Sequence, residues 1–149
     1  MSSEKVEKAA TYFDNGFCCS QAVFTTFATE YGMDEALALK IATQFGGGAR
    51  KGEMCGSVSG ALMALGLRYG FSDSNAKEEK ELAHQKAEEF MNRFIEKKGT
   101  VVCRELLGRD LSEPGELEKC RELGLFKSIC PEMVRCAAEI VEQMLAEEN

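Results

Sequence analysis

Apolar residues recur along this chain at spacings of three and four, and no stretch alternates at period two, so the pattern predicts an all-α fold. Val6, Ala9, Ala10 and Phe13 mark a first helix over Glu4–Phe13, stopped by the turn sequence Asp14-Asn15-Gly16. A second helix runs from Cys19 to Glu30, with Cys19, Ala22, Val23, Phe27 and Tyr31 on one face. Asp34 caps a third, Glu35–Phe45, closed by Gly46 and apolar enough to be mostly buried. Cys55–Tyr69 is a fourth helix, thin on side chains at Gly56, Ser57, Ser59, Gly60, Ala61 and Ala64. Interior glycines cost about 1 kcal/mol each relative to Ala, which the close approach of another helix or a ligand would offset.

The second half is more polar. Ala83, Ala87, Phe90, Met91, Phe94 and Ile95 form one stripe on a long charged helix over Asn75–Lys98, expected to lie across the outside of the fold and to end at Gly99. Thr100 opens a short helix through Cys103, Leu106 and Leu107 that Gly108 stops. After the Pro114-Gly115 turn, Leu117, Cys120, Leu123 and Phe126 suggest another short helix. The last runs from Pro131 to Ala146, with Val134, Ala137, Ala138, Val141 and Leu145 inward and proline at a tolerated first position.

At 149 residues, with 44% hydrophobic and 29% charged positions, the chain fits one domain over residues 1–149, an irregular bundle of six or seven helices. A net charge of -7, with only the small clusters Arg50-Lys51 and Lys97-Lys98, argues against nucleic acid as a partner. Met1 to Ala10 is polar and no apolar run is long enough for a membrane span, so the expectation is a cytoplasmic protein. The pattern sets no oligomeric state.

Seven cysteines change the picture. Their odd number and a chain long enough to bury a core favour redox chemistry or metal binding over a disulfide framework. Cys19, Cys55, Cys103 and Cys130 each fall within one turn of a predicted helix start, whereas Cys120 and Cys136 sit inside helical patterns as small core residues. Unpaired N–H groups at a helix start favour thiolate, the form that attacks disulfides and binds soft metals. No CxxC or finger-like spacing joins the four, so the sequence neither pairs them nor shows that they converge.

Other candidate chemistry is thinner. His84, the single histidine, belongs to the solvated face of the long helix between Glu81 and Glu88. Gly47 to Gly52 lacks the lysine of a phosphate-binding loop, where Glu53 stands, and no strand precedes it. Glu53 reads as a helix cap ahead of Cys55, and Arg50 and Lys51 as a solvent-exposed pair in a mobile loop.

The segments CSQAVF at Cys19, CGSVSGALMALGL at Cys55, CRELLGRDL at Cys103 and CPEMVRCAAEIV at Cys130 resemble the C_GCAxxG_C_C family of redox-active proteins, over Tyr12 to Ile140. Ser57 stands where that pattern has alanine, and Gly60 serves as its closing glycine one position later. The resemblance implies a redox role for Cys19, Cys55, Cys103 and Cys130. Three functions are consistent with the residues. The first is dithiol–disulfide exchange with a redox partner protein or small-molecule oxidant, Cys55 attacking and Cys19 resolving. In the second the same four cysteines hold zinc or an iron–sulfur cluster. The third is a helical interaction module whose cysteines only pack.

Overall fold

The computed structural model describes residues 3–147, which are helical with no extended strand. In chain order the helices are α1 (Glu4–Asp14), α2 (Cys19–Ala28), α3 (Glu35–Ala42), α4 (Gly56–Tyr69), α5 (Lys77–Lys98), α6 (Cys103–Leu107), α7 (Glu116–Leu123), α8 (Leu125–Ser128) and α9 (Cys130–Ala146). Among the described residues no helix is long and apolar enough to cross a membrane.

The central element is α2. Ser20 and every residue from Ala22 to Ala28 are buried, and α2 packs on α1, α3, α4 and α9. A helix apolar on all sides belongs inside a fold, and the one-face stripe expected of it was too narrow. Its far end turns out to solvent: Thr29–Tyr31 is a 3₁₀ turn and Tyr31 is exposed. The closest partner is α4, where the small residues serve their expected purpose. A Cβ at Gly60 would stand 2.6 Å from the Ser20 carbonyl oxygen, and one at Gly56 2.5 Å from the Cys19 sulfur. The two backbones can meet only because both side chains are absent.

Further expectations need correction. Asp34 caps α3 by accepting from the Leu37 N–H at 3.0 Å, as read. The helix itself is a surface element, however, with only Ala38 and Ala42 buried, and it ends at Ala42 in a 3₁₀ turn over Thr43–Phe45. Leu37, Ile41 and Phe45 point outward because α3 touches α2 through its small residues and through polar ties, the Gln21 amide donating to the Leu39 carbonyl and the Ser20 hydroxyl to that of Ala42. On α5, Phe90 and Phe94 are fully buried while Ile95 is exposed, so the inward stripe is narrower than the sequence suggests. Gly124, left-handed at φ 70°, splits the single helix expected around Leu117–Phe126 into α7 and α8. The all-α bundle is as the sequence implies, with the four-residue α8 an extra turn among the described residues.

The apolar side chains form two clusters. The larger unites α1, α2, α4, α5 and α9 around Phe24, Phe90, Phe94, Ile140 and Met144. The smaller joins Cys103, Leu107, Leu111 and Cys120 with Leu117, Leu125, Phe126, Ile129 and Cys130. A cavity lies where the two face one another.

Candidate functional site

Each cysteine at the site is placed by a local device. Cys19 opens α2, directly after Cys18, whose N–H is bound by the Gln21 side chain at 2.9 Å. Cys55 and Cys103 are brought together by a feature that the hydrophobic pattern does not show, an isolated antiparallel bridge between Met54 and Val102. Through it the Cys55 N–H donates to the Val101 carbonyl at 2.7 Å and the Cys103 N–H to the Glu53 carbonyl at 2.5 Å. The β-branched pair Val101-Val102 was the available signal, too short to read as a strand. Cys55 caps α4, Cys103 begins α6 and Cys130 begins α9.

The cavity is about 300 Å³ and is lined by Cys18, Cys19, Cys55, Cys103 and Cys130. Its walls are otherwise largely apolar, with Phe13 from α1, Leu106 and Leu107 from α6, Leu117 from α7, Phe126 from α8, and Ile129 and Met133 at the start of α9. Arg50, Ser57 and Arg121 supply the polar positions. All four cysteines singled out from the sequence thus open onto one space, and Cys18 joins them. Cys18 hydrogen-bonds with the Ser20 hydroxyl at 3.3 Å and donates to the Gln21 side chain at 3.2 Å. Cys120 is fully buried in the smaller cluster behind this wall, and Cys136 lies on α9 away from the cavity.

The thiols differ sharply in acidity. The Cys19 thiol beside it first of all holds Cys55 below the ordinary thiol range; the Ser57 and Val58 amides of its own helix start add to this against the effect of burial. The same contact, followed by burial, raises Cys19 well above that range, with the Gly47 and Ser20 amides opposing. Burial pushes Cys103 and Cys130 up to about 12, reinforced by nearby cysteines. Cys120 and Cys136 are raised as well, both by burial first. A helix start therefore yields an acidic thiol only at Cys55; at Cys19, Cys103 and Cys130, expected to share the effect, loss of water and neighbouring sulfur outweigh the N–H groups.

The weaker candidates stay outside. His84 is exposed on α5, its ring edge-on to Phe71. Glu53 does not cap α4: its carboxylate pairs with Arg104 at 3.4 Å. Among the described residues no group of three or more His, Cys, Asp or Glu side chains is placed to hold a metal ion.

A family model described as "Putative redox-active protein (C_GCAxxG_C_C)" matches residues 17–144, from just before Cys18 into the last turns of α9. The chain belongs to that family. A general redox role comes with the family, and the matched span contains every cysteine of the chain. No curated protein and no solved structure gives a significant match.

Proposed function

We propose that the chain works by dithiol–disulfide exchange through Cys55 and Cys19, in the cytoplasm, where such a pair is kept reduced. The observation that carries the proposal is that Cys19 and Cys55 open onto one cavity where α2 meets α4, the Cys19 sulfur lying against Gly56 beside Cys55, with Cys55 held below the ordinary thiol range and Cys19 above it. The Cys55 thiolate attacks a disulfide sulfur, forms a mixed disulfide and releases one thiolate. Its negative charge is then gone, and with it the largest influence that held the Cys19 proton. Cys19 loses that proton to the departing thiolate and attacks the Cys55 sulfur. The products are a Cys19–Cys55 disulfide, one substrate thiol and one substrate thiolate, which takes its proton from water, two electrons having passed from protein to substrate.

Timed alkylation of the reduced protein at neutral pH, mapped by mass spectrometry, tests this. Cys55 is expected to label first, and Cys19→Ser to accumulate the mixed disulfide at Cys55. Labelling of Cys55 no faster than of Cys136 would count decisively against the assignment. Metal analysis of anaerobically purified protein tests the alternative chemistry: stoichiometric metal lost in Cys103→Ser or Cys130→Ser would replace exchange with metal binding.

A further inference from the structure

The cavity beside Cys55 is asymmetric in a way that exchange alone does not require. Its inner end holds Ser57, fully buried, whose hydroxyl has no hydrogen-bond partner; among the described residues only the Thr25 hydroxyl shares that condition. A buried hydroxyl left unpartnered costs about 1–3 kcal/mol and points to a group that completes it. The rim holds two guanidinium groups. Arg121 is engaged by Glu118 at 2.8 Å, but Arg50 is exposed and forms no ion pair among the described residues. Arg50 is also fixed in an unusual way. Gly47, Gly48, Ala49 and Arg50 make a left-handed turn, with φ of 56° at Ala49 and 66° at Arg50.

We propose, on the basis of the dithiol reading above, that the substrate is a small aliphatic disulfide bearing a carboxylate. Its anionic end is held by Arg50 at the rim, its apolar body lies along Leu106 and Phe126, and its reacting sulfur sits between Cys55 and Ser57. A cavity of about 300 Å³ suits a low-molecular-weight thiol and excludes a folded protein's disulfide. The Ser57 hydroxyl donates to the thiolate that leaves when Cys55 attacks. The rest of the chain disfavours anions, since its net charge is -7, so an anion preference at Cys55 has to come from the cavity.

The test uses the reduced full chain and three aliphatic disulfides that differ chiefly in end charge: dithiodipropionate, hydroxyethyl disulfide and cystamine. Single-turnover thiol release is followed, with the site of reaction mapped to Cys55. The wild-type order expected is dithiodipropionate, then hydroxyethyl disulfide, then cystamine. Arg50→Gln keeps a long side chain on the same turn and is expected to slow dithiodipropionate about fivefold, the scale of a partly exposed charge pair, with hydroxyethyl disulfide unchanged. Ser57→Ala is expected to slow all three alike without loss of stability, because the hydroxyl it removes has no partner in the folded chain. Equal effects of Arg50→Gln on charged and neutral disulfides, or a wild-type preference for cystamine, overturn the anionic substrate and leave the dithiol chemistry standing. Failure of all three to react at Cys55 overturns both.

Discussion

One contact, between Cys19 and Cys55, separates the acidity of two residues that both stand at a helix start. Cys19 is the leading cause of the acidity of Cys55, ahead of the helix-start amides. Cys19→Ala should therefore move the midpoint of Cys55 alkylation against pH upward, toward the ordinary thiol value of about 8.5. A midpoint unmoved by that substitution would give the leading role to the Ser57 and Val58 amides instead. The sequence reading made Cys55 the attacking thiol and Cys19 the resolving one, but on helix starts that both residues share; the contact that separates their acidity exists only in the folded arrangement. At Cys103 and Cys130 the helix start is outweighed by burial, a quantity set by neighbours distant in sequence. These two should stay unlabelled at neutral pH while Cys55 reacts, which the same mapped time course checks.

Among the elements, α4 carries the plainest link from composition to packing. Its glycines are not alike: a Cβ at Gly60 would run into the Ser20 carbonyl at 2.6 Å, whereas one at Gly66 would meet nothing within 4 Å. Gly60→Ala should lower stability by about 1–3 kcal/mol, since backbone cannot swing aside as a side chain does. Gly66→Ala should raise it by about 0.5–1 kcal/mol through helix propensity and a less flexible unfolded chain. Urea unfolding of the two variants decides between close helix approach and mere tolerance of glycine, because tolerance predicts the same gain at both positions. The long and strongly periodic helices were legible in advance, α9 and the Phe90–Phe94 seam of α5 above all. Less legible was α3, whose Leu37 and Ile41 look like core residues until the polar ties of Gln21 and Ser20 fix which side faces α2. The bridge at Met54 and Val102 is a single pairing between segments far apart in sequence, and period-two alternation cannot reveal one residue pair.

At the scale of the whole molecule, that the cysteines open onto one cavity follows from four helices starting at the same place, where α2, α4, α6 and α9 all begin at its wall. Helix starts were readable one at a time; their meeting depends on the α2–α4 approach and on the bridge that ties Cys103 to the segment before Cys55. Gathering thiols against largely apolar walls has a consequence for stability. In the unfolded chain thiols ionise near about 8.5, while in the fold Cys103 and Cys130 keep their protons up to about 12. Between those limits the native state binds more protons than the unfolded state, so stability falls as pH rises, by up to about 1.4 kcal/mol per pH unit for each such thiol. Cys55 acts with the opposite sign, since its contribution is present above the unfolded value and lost as pH falls through its lower folded one. It is one group against Cys19, Cys103, Cys120, Cys130 and Cys136, all raised. The chain should accordingly lose stability between about pH 8 and about pH 10, and the loss should be shallower in a Cys103→Ser, Cys130→Ser double variant. Urea midpoints across that range measure both slopes, and lysine titration, common to both proteins, cancels in the difference. Equal slopes would mean that Cys103 and Cys130 ionise in the folded protein much as they do in the unfolded chain, and that the cavity is wetter than its apolar walls imply.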